Sequence, residues 1–158
     1  YLDAIEIYER LVEKNADAYE PDLATSYNNA GNFYSDHNHS KEAEKYYLTA
    51  IEIYERLVEK NADAYEQDLA DSYNNVGVFY SDHGQPDKAE KYYLAAIGIR
   101  ERLVEKNAAA YEPYLAISCF LFSLNSKNET YLIKAYEIAK RRQDDPRCKT
   151  IVEFVESH

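Results

Sequence analysis

The chain has 158 residues, 46% of them apolar, enough for one domain with a buried core. Its 18 basic and 29 acidic side chains leave a net charge of −11, the wrong sign for neutralising phosphates, so neither nucleic acid nor anionic membrane is an expected partner. The longest apolar region, Tyr114 to Leu124, is about half the roughly 20 residues that cross a bilayer.

From its first residue the sequence repeats itself. The string AIEIYERLVEKNADAYE begins at Ala4 and returns unchanged at Ala50, and AIGIRERLVEKNAAAYE begins at Ala96, so the period is 46 residues. The block Ser26 to His37 recurs at Ser72 to His83 with the same offset. Residues 1–15 therefore read as a half repeat, and because the chain opens on Tyr1 inside a helical pattern and lacks methionine, it is taken as a piece of a longer protein.

Residues 21–60 form the first full unit. Pro21 suits the first turn of a helix that runs to about Asp36, with apolar positions at Leu23, Ala24, Tyr27, Ala30 and Tyr34. Asn38, replaced by Gly84 in the next copy, marks a left-handed turn. Ala43, Tyr46, Tyr47, Ala50, Ile51, Tyr54, Leu57 and Val58 then step by threes and ones, the stripe of an amphipathic helix from Ser40 to about Lys60. Gly31 and Gly77 inside the first helices cost about 1 kcal/mol each against alanine, so a closely approaching second helix is expected. The NADAYE stretch reads as a linker to the second unit, residues 67–106. Residues 113–142 are a degenerate third unit whose first helix is apolar nearly all round and hence buried. Beyond Asp144-Asp145-Pro146, a capping helix over 146–157 carries Ile151, Val152, Phe154 and Val155.

These residues resemble the tetratricopeptide repeat family. Its alternation of aromatic, apolar, small and aromatic residues on one helix and alanine, aromatic and alanine on the next is met by Tyr27, Ala30, Gly31, Tyr34, Ala43, Tyr47 and Ala50. It is met again by Tyr73, Val76, Gly77, Tyr80, Ala89, Tyr93 and Ala96. The 46-residue period exceeds the family's about 34, and Glu55 and Glu101 stand where a proline is usual. The resemblance implies an all-α fold, an α-α superhelix (solenoid) of antiparallel helix pairs, about seven helices plus the C-terminal cap. It implies a non-enzymatic cytoplasmic scaffold that binds a protein or peptide in its concave groove. A regulatory sensor or autoinhibitory module of a larger protein, and a self-associating spacer, are the alternatives.

The resemblance also points to the first helices as the groove wall, with Asn28, Asn29, Asn32, Asp36, Asp71, Asn74, Asn75 and Val78 as candidate peptide-binding residues. Asparagine is a poor helix former, and a primary amide donates and accepts at once. That suits either an extended peptide or hydrogen bonding between helices, and the sequence leaves both open. Relatives that clamp an acidic C-terminus use two lysines, an arginine and two asparagines; here Asn32 and Asn75 keep the asparagines while Asn28, Ile117 and Leu121 stand where the cations would be, so a neutral to basic ligand is expected. No cofactor, metal site or catalytic residue is expected. His37 and His39 have no further ligands near them in sequence, and Cys119 lies among apolar neighbours as an inert thiol. Cys119 and Cys148 stand at no disulfide or zinc-knuckle spacing, in keeping with a reducing compartment. About three quarters of the seventeen tyrosines are expected in the core. Glu6, Arg10, Glu13 and Lys14, with their copies Glu52, Arg56, Glu59 and Lys60, read as a solvated face with pairs four residues apart.

Overall fold

The computed structural model describes residues 2–157, and these fold into α-helices only. In chain order they are α1 (Leu2–Val12), α2 (Ala16–Asp36), α3 (Ser40–Lys60), α4 (Ala62–Asp82), α5 (Pro86–Lys106), α6 (Ala108–Ser126), α7 (Glu129–Arg141) and α8 (Pro146–Glu156). Two compact units meet within α4, one ending at Phe79 and the other starting at Tyr80. In the first, α1 packs on α2 and α2 on α3; in the second, α5 packs on α6, α6 on α7, and α8 on both α7 and α6.

The turn between α2 and α3 follows the sequence. Asn38 takes φ 60° and Gly84, at the equivalent turn, φ 68°, so each ends its helix in the left-handed region. The glycine inside α2 also has the expected cause: a Cβ on Gly31 would lie 2.6 Å from the Tyr47 ring. α3 buries Ala43, Tyr47, Ala50, Ile51, Ile53, Tyr54 and Leu57 along the predicted stripe.

Three readings need correction. The first helices of the first and third repeats start before their prolines. α2 begins at Ala16 and α6 at Ala108, each opened by an asparagine, Asn15 or Asn107, whose side chain accepts a hydrogen bond from the backbone N–H of Ala18 or Ala110. Pro21 and Pro113 sit inside their helices, where each lacks only one N–H. The supposed linker is thus helical, and a single extended residue, Asn61 (φ −154°, ψ 87°), separates α3 from α4. It also caps α4 through Ala64 N–H.

The second correction concerns charge. Arg10 donates to the Glu6 backbone carbonyl rather than to its carboxylate. The copies Arg56 and Lys60 reach across to α2, Arg56 to Glu20 at 3.0 Å and Lys60 to Asp17 at 3.0 Å. Glu20 is buried, and Glu112, its counterpart two periods on, takes Arg141 at 3.0 Å and Arg142 at 2.6 Å. These carboxylates tie the start of each first helix to the end of its second.

The third is burial. Leu124 of α6 is 49% exposed, so that helix is not buried all round; its covered residues are Pro113, Leu115, Ala116, Ser118, Cys119, Phe122 and Ser123. The cap lies where expected: α8 buries Cys148, Ile151 and Val152, and Phe154 meets Phe120 edge-on at 5.0 Å. Of the described tyrosines only Tyr47, Tyr54, Tyr80 and Tyr93 are buried. The rest are half-buried, as in the stack of Tyr46 against Tyr27 and Tyr34. Their rings pack while their hydroxyls reach the rim.

Candidate protein-binding site

α2 and the part of α4 in the first unit come together through a hydrogen bond, Asn28 Nδ2 donating to Ser72 Oγ at 2.6 Å. Ser72 Oγ in turn donates to the Asp68 carbonyl one turn back. Neither α2 nor α4 contains a lysine or arginine, so this seam is acidic and amide-lined along its length.

Toward the helix starts, Thr25 Oγ1 lies 2.8 Å from the Tyr54 hydroxyl. Tyr54 is buried at this seam, and burial first, then the charges of Asp68, Asp71 and Asp22, raises its hydroxyl above the ordinary tyrosine range, against the Thr25 hydrogen bond that lowers it. Partial desolvation and the adjacent Asp71 push the Asp68 carboxyl up as well. Asp71 accepts hydrogen bonds from Gln67 at 3.2 and 3.3 Å. Three carboxylates, Asp22, Asp68 and Asp71, thus act on this end of the seam.

Toward the helix ends lie the amides, and they divide by role. Asn28 is an interhelical strut: its amide is spent on Ser72 and its Oδ1 is enclosed without a partner. Asn74 is 7% exposed and faces inward. Asn32 Oδ1 accepts from the Tyr47 hydroxyl at 2.7 Å, and the residue stays exposed. Asn29 and Asp36 are exposed, and Asn75, Asp71 and Val78 half-buried. Of the predicted residues, then, Asn29, Asn32 and Asp36 are exposed, Asn28, Asp71, Asn75 and Val78 are half-buried, and Asn74 is buried. Thr25, Asp22 and Asp68 were not singled out from the sequence; the signal for them was the absence of any cation on α2 and α4.

Other reactive groups have local partners. His37 Nδ1 lies 2.7 Å from the Phe33 carbonyl with its ring on Phe33, and His39 packs edge-on to Tyr34. Among the described residues no three His, Cys, Asp or Glu side chains converge as a metal site would require. Burial pushes the Cys119 thiol up to about 12, far from a nucleophilic thiolate. Among the described residues no helix is long and apolar enough to cross a membrane.

Stacked antiparallel helix pairs with small residues at their crossings define the class of helical-repeat proteins. The tetratricopeptide repeat pattern matches residues 23–61 and 69–107, and the chain belongs to that family, whose repeats generally mediate protein–protein interaction. Among solved structures it is similar to the crystal structure of BtubC (BKLC) from P. vanneervenii at 25% identity and a TM-score of 0.61. That match covers 98% of this chain and 57% of the other, so the chain spans little more than half of that relative. Among curated proteins there is no match.

Proposed function

We propose that the chain is a non-enzymatic scaffold that holds an extended, neutral to basic segment of another protein on the α2–α4 face. The observation that carries this reading is the polarity of the seam: Asp22, Asp68 and Asp71 gather at one end, Asn29, Asn32 and Asn75 stand at the other, and α2 and α4 supply no cation. A basic side chain at the acidic end relieves the mutual repulsion of Asp68 and Asp71, and exposed amides suit the backbone of an extended peptide. A terminal carboxylate would be repelled.

The test is fluorescence anisotropy of the whole chain with labelled extended peptides of matched length, lysine-rich, neutral or acidic. Basic peptides are expected to bind with affinity that falls as salt rises. Asp71→Asn and Asn32→Ala should each weaken them several-fold, on the order of 1 kcal/mol for one hydrogen bond or charge contact. Equal binding of acidic peptides overturns the reading, and so does a crosslinked ligand that maps to α3 and α5 alone.

A further inference from the structure

α1 and α3 each pack on α2, and between them lies a groove of about 240 Å³. Glu6 and Glu9 line it from α1, Lys45 and Tyr46 from α3, and Tyr27 from α2. At that size, below the roughly 300–1,000 Å³ of small-molecule pockets, it suits a single side chain of a partner rather than a cofactor. The aromatic part is built into the fold: the Tyr27 and Tyr46 rings stack at 5.9 Å, and Tyr46 stacks on Tyr34 in turn at 5.3 Å. Glu9 accepts from the Tyr27 hydroxyl at 2.5 Å.

Two carboxylates thus face one ammonium. Glu6 meets Arg10 only through its backbone carbonyl, and its carboxylate has no hydrogen bond or ion pair among the described residues. Burial first, then Tyr34 and the charges of Glu9 and Glu42, raise the Tyr46 hydroxyl above its ordinary range, so a third carboxylate acts on the same ring. The ammonium of Lys45 stands 5.9 Å from the centre of that ring, at the edge of the roughly 6 Å over which an aromatic face attracts a cation. An exposed, flexible lysine therefore already samples the groove without filling it. The openness belongs to the repeat. In the copies one period on, in the interior of the chain, Glu52, Glu55 and Lys91 are exposed as Glu6, Glu9 and Lys45 are, and Tyr73 and Tyr92 are half-buried as Tyr27 and Tyr46 are. Glu55 likewise accepts from the Tyr73 hydroxyl, at 2.7 Å. The third copy drops the set, with Gly98, Cys119 and Ile138 in place of Glu52, Tyr73 and Tyr92.

We propose that the groove between α1 and α3 seats an arginine side chain of a partner segment, its stem against the tyrosine rings and its guanidinium at Glu6 and Glu9. A planar fork of five donors can serve both carboxylates at once, which a compact ammonium cannot. Arginine also has the apolar length to cover the rings while its charge stays at the rim. Lys45 is the cation it displaces, at little cost because that side chain is exposed. The inference uses other residues than the α2–α4 seam and does not rest on it.

The probe is the blocked tripeptide acetyl-Gly-Arg-Gly-amide, titrated into the whole chain and followed by NMR at the methyl groups of Ile5 and Thr49, which also line the groove. Thr49 reports on this groove alone, since its counterpart one period on is Ala95. Both signals should shift saturably. The lysine peptide should need several-fold higher concentration, and the citrulline peptide, which keeps the shape of arginine and loses its charge, should not saturate. Glu6→Gln with Glu9→Gln keeps an acceptor for the Tyr27 hydroxyl; it should raise the saturating concentration about tenfold with circular dichroism unaltered, whereas Lys45→Ala should lower it. Absent or non-saturating shifts overturn the proposal, as does binding of the lysine or citrulline peptide as tight as that of arginine. A double variant that binds as before also overturns it. Binding lost with Asp71→Asn but kept in the double variant would place the peptide on the α2–α4 seam, which supports that reading and ends this one.

Discussion

The first and third helix pairs start alike and end differently. α2 and α6 share an asparagine N-cap, a proline six residues beyond that cap and a glutamate tied to the cations of the following helix, Glu20 in one and Glu112 in the other. After that the third copy departs. Asn28 becomes Phe120, Asn29 becomes Leu121, Asn32 becomes Leu124 and Tyr27 becomes Cys119. Where the first copy keeps polar groups, Asn29 and Asn32 exposed among them, the third sets Phe120 against Phe154 and Phe122 against Tyr131. The start of each unit holds the pair together, whereas the middle of the first helix changes character from copy to copy. α6 serves closure, and α8 covers it.

The largest effect expected from breaking this contrast is at the cap. Deleting residues 144–158 removes Ile151, Val152 and Phe154 from α6 and α7. Each buried side chain is worth about 1.5–3 kcal/mol. The melting temperature should fall by roughly 10 °C at about 2–4 °C per kcal/mol, with aggregation through the uncovered Phe120. Because repeats lean on their neighbours, hydrogen exchange should accelerate in α6 and α7 and hardly change in α2 and α3. Unchanged melting and a monomeric truncated chain would show that α8 covers nothing of consequence.

Next comes the crossing of the pair. Gly31 admits the Tyr47 ring at a distance no side chain tolerates, and the third copy has Ser123 and Ala139 at these places, both buried. The enlargement on one helix is matched by a reduction on the other. Gly31→Ala should destabilise by about 1–3 kcal/mol from overpacking, despite alanine's better helix propensity. Gly31→Ser combined with Tyr47→Ala should cost less than the sum of the two single changes, a coupling that denaturant titration of all four proteins measures. Strict additivity would mean the two positions do not share the crossing.

A smaller effect lies at the shared start. Burial by itself raises the Glu112 carboxyl, but hydrogen bonds from Arg141 and Arg142, and their charges, outweigh it and hold the group below the ordinary glutamate value of 4.5. A carboxylate depressed in the folded state contributes stability that is full above its unfolded value and lost as pH falls through its folded value. Glu112→Gln should therefore cost about 1–2 kcal/mol near neutrality, a cost that shrinks below about pH 4.5 as the parent loses the same interaction. Melting curves of parent and variant from pH 7 to pH 3 should converge on the acid side; parallel curves would dismiss the ion pair as a contributor.

Much of this was legible in the chain. The 46-residue period, the Asn38 and Gly84 turns, the Gly31 crossing and the cap were all recoverable, because each depends on local backbone preference or on a repeat that displays its own variation. The start of the first helices was not: Pro21 looked like a first-turn residue, and an asparagine that ends one helix while capping the next left no room for the expected linker. The partners of Glu20, Arg56 and Lys60 were hidden for a different reason. Residues four apart along one helix invite pairing with each other, whereas the true partners come from a helix that begins more than 40 residues earlier in the case of Lys60 and Asp17. At the seam, the type of residue was readable but its direction was not. Asn28 and Asn32 are a single turn apart on α2, and only the placement of Ser72 and Tyr47 separates the enclosed amide from the open one.

That separation gives the smallest and most discriminating prediction. Asn28→Ala removes the hydrogen bond to Ser72, worth about 0.5–1.5 kcal/mol, but it also removes an enclosed Oδ1 with no partner and replaces a weak helix former by the best one. The two gains offset much of the loss, so stability should change by less than about 1 kcal/mol, and peptide affinity should not change at all. Asn32→Ala leaves the buried Tyr47 hydroxyl without its acceptor, although the exposure of Asn32 lets water take that place. Its stability cost should be similarly small, while affinity for a basic extended peptide should drop several-fold. The two variants, compared by denaturant titration and by anisotropy on the same preparations, separate strut from ligand contact within one helical turn. Equal losses of affinity at both positions would mean that the ligand pulls Asn28 away from Ser72 on binding, and the division of the amides drawn from the free chain would fail.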